Sequence, residues 1–443
     1  MRLDLEPGLC ACAAALTLAA ACHAPPPTTP LDRPPLDRPT VDEPARAHTL
    51  ARPDPQLPGP PPVAPPPIDD PLTDHVCADD PRIACAVHRP EVSPHLLGLA
   101  VRGRTIAVAW VTSGNSWLQS RAVMGTGAAH IAWFDADLRP RGQTRLDVAA
   151  NALDIDLVAT SDAWVVAVQT ERGVELQRLA DDATLAGPST TLPAAATPGL
   201  ATTPAGDVLV VHAAMRSDRY AHFATLVDRR GRVAWEREVF TEAVEPNFGG
   251  QVYTDGGGFL VGRREHAGVA VVRLETDGRL TARRDVATST EYPALAWCGG
   301  EGRLVWTDFE ALKIRTAAID RRGDASGPEH VLGGTPEHFN HSPVLCDRAG
   351  AIVLLGGYTG STGLSNRIDL ARVDRERGAL PGAIPVLAAG DHTAYDPRLA
   401  RLDARRVAVA WISLNATQTQ SQIALAVIET SPEARGPLRA EPR

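Results

Sequence analysis

The sequence predicts an all-β fold: a seven-bladed β-propeller, with six or eight blades as the alternative counts, behind an apolar N-terminal stretch and a disordered Pro-rich linker. Three observations carry this. A beat of roughly 48 residues repeats from about residue 95 to the C-terminus, and self-similarity on that scale marks a repeat architecture. Within each beat, short apolar runs alternate with Gly/Asp turns, the pattern of hairpin-connected strands. Those runs are continuous rather than alternating, which suits strands covered on both faces. The four strands of one beat are too few for a β-sandwich, so the beats must stack as blades.

Taken in order, residues 1–22 lie outside the repeat. Leu9 to Ala21 is an apolar run too short to span a bilayer, and it ends in Leu18-Ala19-Ala20-Ala21-Cys22. This segment resembles a bacterial lipoprotein signal with its lipobox. Leu18 stands one place further from the cysteine than is usual, and Arg2 is the only cation of the leader. The resemblance implies removal of residues 1–21, acylation of Cys22, and residence in the cell envelope as an exported outer-membrane lipoprotein. Residues 23–71 are dense in proline, with Pro25-Pro26-Pro27, Pro60-Pro61-Pro62 and Pro65-Pro66-Pro67. Proline removes an amide donor and fixes φ, so this stretch reads as a spacer between anchor and folded domain.

The propeller is expected over residues 72–430, followed by a tail at 431–443. First strands end in Gly98-Leu99-Ala100, Asp156-Leu157-Val158, Gly199-Leu200-Ala201, Gln251-Val252-Tyr253, Ala294-Leu295-Ala296, Val344-Leu345 and Arg398-Leu399-Ala400. Second strands are more apolar and often carry a bulky residue, as in Val108-Ala109-Trp110, Leu304-Val305-Trp306 and Val409-Ala410-Trp411. Third strands run into Asp turns such as Asp228-Arg229-Arg230-Gly231 and Asp320-Arg321-Arg322-Gly323. Six beats leave residues for a fourth strand; the seventh does not. Upstream of the first beat, Ile83-Ala84-Cys85-Ala86-Val87-His88 has no partner of its own, so it is expected to complete the last blade and remove an exposed edge.

Four cysteines remain after Cys22. An even count in an exported chain predicts disulfides, with Cys77–Cys85 as a local loop and Cys298–Cys346 joining equivalent places in neighbouring beats. The spacings contain no CxxC pair, so no zinc site is expected from them.

The net charge of −9 disfavours a nucleic-acid ligand, which requires a basic face. The turn rim, rich in Asp, Gly and Arg, reads as a solvated edge. The opposite rim carries the candidate functional residues. Three polar loops, 112–120 with Trp117, 358–366 with Tyr358, and 415–420, become neighbours if the ring closes, and such groups suit a glycan or protein ligand. The crossovers into the first strands supply Glu245, Glu291, Tyr292, His338, His341, His392, Tyr395 and Asp396, all expected at the central opening. The three histidines are candidate ligands for a divalent metal, and Glu245, Glu291 and Asp396 are candidates for an acid/base pair. The reading that results is a monomeric, lipid-anchored binding module for protein partners or glycans, without cofactor or metal. The alternative is a propeller hydrolase or lyase acting on an envelope polysaccharide.

Overall fold

The computed structural model describes residues 72–430 except 113–126, 217–218, 241–250, 255, 266–267, 288–289, 309–310, 312, 335–342, 348–349, 359–364, 375, 388–392 and 416–419. Among the described residues all regular structure is strand. The first, β1 (Ile83–His88), belongs to the last blade. Blade 1 is β2 (Pro94–Arg102), β3 (Thr105–Thr112), β4 (Ala129–Asp135) and β5 (Pro140–Arg145). Blade 2 is β6 (Ala152–Ala159), β7 (Trp164–Thr170), β8 (Gly173–Leu179) and β9 (Thr190–Pro193). Blade 3 is β10 (Ala195–Thr202), β11 (Val208–Arg216), β12 (Arg219–Val227) and β13 (Val233–Phe240). Blade 4 is β14 (Gln251–Thr254), β15 (Gly258–Glu265), β16 (Gly268–Glu275) and β17 (Leu280–Ala287). Blade 5 is β18 (Thr290–Cys298), β19 (Glu301–Asp308), β20 (Lys313–Ile319) and β21 (His330–Gly334). Blade 6 is β22 (Val344–Asp347), β23 (Gly350–Tyr358) and β24 (Ser365–Asp374), edged by β25 (Gly378–Ala379) and β26 (Ile384–Pro385). Blade 7 is β27 (Thr393–Arg401), β28 (Arg406–Leu414), β29 (Ser421–Glu429) and β1.

The fold is a seven-bladed propeller, and its ring is closed. The innermost strands pack in succession, β2 on β6, β6 on β10, and so on to β27, which packs back on β2. β1 runs antiparallel to β29 from Ile83↔Ile428 to His88↔Ile423. The chain before β1 is held as well: Ala78 N donates to Val386 O of blade 6, and Gln422 Nε2 donates to Thr73 O. Blade 6 departs from the four-stranded pattern. Its outer edge breaks into two short pieces because Pro381, Gly382 and Pro385 interrupt the ladder.

Each of the seven interfaces between blades has its own apolar cluster. Trp110, Trp164, Trp306 and Trp411, all on second strands, are fully buried in these clusters. Two disulfides add staples: Cys77–Cys85 ties the entering chain to β1, and Cys298–Cys346 ties blade 5 to blade 6.

The turns repeat a single device. Asp135 Oδ1 accepts from the amides of Asp137 and Arg139, Asp228 Oδ1 from Arg230 and Arg232, and Asp320 Oδ1 from Arg322 and Asp324. Asp374 and Asp403 do the same for the amides two and three residues on. A short acceptor side chain thereby satisfies turn donors that the ladders leave unpaired. Where the blade 2 hairpin lacks glycine, the Thr160 hydroxyl accepts from the Ala163 amide instead.

Candidate functional site

The starts of the innermost strands are irregular in a shared way. Register shifts fall at Pro94/Leu96 in β2, Ala152/Asp154 in β6, Ala196/Gly199 in β10, Glu291/Ala294 in β18 and Tyr395/Arg398 in β27. Such bulges re-aim side chains that a regular strand would fix in alternation. Thr197 and Asp396 occupy the same place in their blades, each before a proline, and both take left-handed backbone angles, φ 49° and 48°. A non-glycine residue held there stores strain, which collects at functional positions.

These bulges gather one cluster on blades 7, 1 and 2. Asp396, nearly buried, accepts the Leu97 amide of blade 1 on Oδ2 at 2.6 Å. Its Oδ1 receives Arg398 Nη2 at 2.9 Å. Arg398 lies at the position that Gly98 fills in blade 1 and Asp156 fills in blade 2. A Cβ on Gly98 would stand 2.8 Å from the Leu157 Cβ and 2.9 Å from its nitrogen. Glycine therefore lets β2 press against β6, and Arg398 interacts across blade 1 with Asp156 and Asp154. Arg398 keeps 22% of its side-chain surface accessible although protein surrounds it.

The electrostatics follow from this crowding. Burial works against the Arg398 charge, but Asp396, Asp156 and Asp154 outweigh it and hold the guanidinium above its ordinary pKa. Burial pushes Asp154 up to about 7, against the Ile155 amide and Arg398, with Asp396 and Asp156 adding to the rise. Asp156 also moves up, chiefly by burial, although Arg398 and the amides of Leu157 and Leu200 favour its charge. Asp396 and Asp156 each bind an amide of the next blade. By contrast, the amide bond that Asp154 makes, at 2.7 Å, is to its own neighbour Ile155, so it accepts no amide of another blade. His95 stacks on Tyr395 with ring centroids 6.1 Å apart. Burial lowers its pKa, with Asp396 opposing, so the imidazole is neutral at neutral pH.

Of the residues named from the sequence, Tyr395 and Asp396 are in this cluster. Glu291 and Tyr292 lie on β18 and Tyr358 ends β23; the structure describes their backbone and not their side chains. Trp117, Glu245, His338, His341 and His392 fall outside the described residues, as do most of the three polar loops. Among the described residues no group of His, Cys, Asp or Glu is placed to hold a metal ion. Sequence reading missed His95, Asp154, Asp156 and Arg398. A signal was present: Asp154-Ile155-Asp156 and Arg398 put charge into strands that should be apolar on both faces.

No family model matches the chain, and no curated protein matches it. Solved propellers are similar in fold. A catalytically inactive virginiamycin B lyase from Staphylococcus aureus with quinupristin aligns at TM-score 0.48 and 13% identity, over 78% of this chain and 99% of that one. The Dos1 propeller aligns at 0.47 and 10%, over 78% and 94%. The polysaccharide lyase Uly1 aligns at 0.47 and 9%, over 78% and 92%. At such identities the likeness concerns the fold alone.

Proposed function

We propose that this chain is a lipid-anchored propeller of the bacterial cell envelope that binds a polar ligand, a glycan or a protein partner, over the central opening where blades 7, 1 and 2 meet. One observation carries the site: Asp154, Asp156, Asp396 and Arg398 converge on inner strands from opposite ends of the chain. Carboxylates accept hydroxyl and amide donors, the guanidinium donates, and Tyr395 offers an aromatic face, a set suited to sugar hydroxyls. The anchor rests on Cys22 and its apolar leader, and the Pro-rich 23–71 segment would hold the domain off the lipid surface. The test is a screen of envelope glycans and proteins against the purified chain, repeated with Asp154→Asn and Arg398→Gln. Binding that both variants leave intact counts against the site.

A second reading is favoured by Asp154 specifically. A carboxyl pushed up to about 7 close to further carboxyl groups is an arrangement that a general acid uses, as in glycoside cleavage. Under this reading the wild type releases new chain ends from a bound polysaccharide, and Asp154→Asn binds the polymer without cleaving it.

A further inference from the structure

The strand that closes the ring ends on a histidine, and a second histidine lies on the other side of the same seam. His88 ends β1 and faces Ile423 across the ladder. Its ring stands edge-on to Trp110, with centroids 5.4 Å apart, and to Phe134, at 5.8 Å. His130 pairs with Trp110 in the ladder of β3 and β4 and stacks flat on the same indole, at 5.3 Å and 12°. Trp110 is fully buried, so one core side chain contacts two imidazoles, one contributed by blade 7 and one by blade 1. Around it Ile412, Ile423 and Leu425 belong to the apolar cluster of this seam. His88 Nε2 and His130 Nδ1 are buried and have no hydrogen-bond partner among the described residues. A neutral imidazole tolerates this, because one of its nitrogens carries no proton, whereas an imidazolium has an N–H at both. Charging either ring therefore leaves an unpaired donor in the seam.

Charged groups near the pair do not compensate. Arg145 stands opposite His130 across β4 and β5 and opposes a second cation, while Glu91 favours one. Arg89, next to His88, donates to Asp74 and Gln422. The residues that β28 and β29 turn to this seam are apolar. Burial is the largest influence on both imidazoles and holds them below the usual histidine value, against Gln143 beside His88 and Glu91 beside His130. We propose that this histidine pair is an acid-sensitive latch: proton uptake at the seam frees the end of β1, Ala86–His88, from β29. A depressed folded pKa gives stability that is present above about pH 6.5 and is lost as pH falls through the folded values. β1 is the element that yields, because it is a six-residue outer strand laddered on one side only, with Ala84 and Cys85 exposed. The Cys77–Cys85 disulfide confines the opening. Cys77 is buried and bridges Leu387 of blade 6, so Cys85 stays in place when His88 leaves.

The experiment is hydrogen exchange of the purified chain at pH 7.5 and pH 5, with each rate divided by that of an unstructured peptide at the same pH. In the wild type the protection of Ala86–His88 should fall at least about tenfold at pH 5, the factor that one unit of pKa depression supplies, while β28 stays protected. The variant His88→Gln/His130→Gln cannot take up these protons, so its β1 protection should differ by less than about twofold between the two conditions. Ring-proton NMR titration of the wild type gives a second measurement that does not depend on the variant folding: both histidines should titrate below about 6.5. Protection of Ala86–His88 that survives pH 5 in the wild type, an equal loss in the double variant, or titration of either ring at or above about 6.5 overturns the proposal.

Discussion

Replacing Asp154 by asparagine removes the one carboxyl of the central cluster that accepts no amide from another blade, and its effect on stability can be worked out in advance. Burial lifts this group from 3.8 to about 7 in the folded chain. Between those values the folded state holds a proton that the unfolded state has released. Stability from this group is therefore fully present below about pH 4 and is lost as pH rises through 7. The full displacement corresponds to about 4 kcal/mol at 1.36 kcal/mol per pH unit, and about 2–3 kcal/mol of it falls between pH 5 and 8. The amide of Asp154→Asn does not ionise, so the variant lacks this slope. Urea midpoints measured every half unit from pH 5 to 8 test it: the wild type should lose stability relative to the variant as pH rises. Parallel curves would refute the reasoning, because they would mean that Asp154 titrates alike in the folded and unfolded chains.

Three further outcomes follow from the same structure. Gly98→Val forces a side chain into the Leu157 backbone of blade 2 and should destabilise the ring by roughly 1–3 kcal/mol in the same urea assay. The turn carboxylates act in the acid direction. Backbone amides, first that of Arg139 for Asp135, of Arg232 for Asp228 and of Glu376 for Asp374, hold these groups below their ordinary pKa. Their contribution is present above about pH 4 and lost as pH falls through the folded values, so Asp135→Asn/Asp228→Asn/Asp374→Asn should flatten the acid limb of stability while keeping the turns. Finally, the two disulfides close loops of unequal length, with sequence separations of 8 and 48. Chain entropy then makes Cys298→Ser/Cys346→Ser costlier, at about 4 kcal/mol, than Cys77→Ser/Cys85→Ser, at about 2.5 kcal/mol, which thermal unfolding of the two variants would compare.

The architecture was legible because a propeller repeats its physics. Continuous apolar second strands, Asp/Gly turns and the orphan run Ile83–His88 are visible in the sequence, and in the fold they become stacked blades, capped hairpins and the strand beside β29. The broken outer edge of blade 6 is marked in the sequence by Pro381 and Pro385, which cannot donate to a ladder. The candidate site was half legible. Tyr395 and Asp396 follow from the rule that crossovers feed the opening. Asp154, Asp156 and Arg398 sit within strands, where periodicity treats every residue as packing, and the bulges that turn them inward leave no clear local signature.

Both the ring and the cluster that it assembles depend on the first strand being paired with the last. Hydrogen exchange of the amides of Ile83–His88 measures this directly. The closed ring predicts that they exchange as slowly as those of β28 and β29, through the same global opening. Exchange at the rate of a free peptide, while β28 remains protected, would contradict closure and with it a site built from blades 7, 1 and 2.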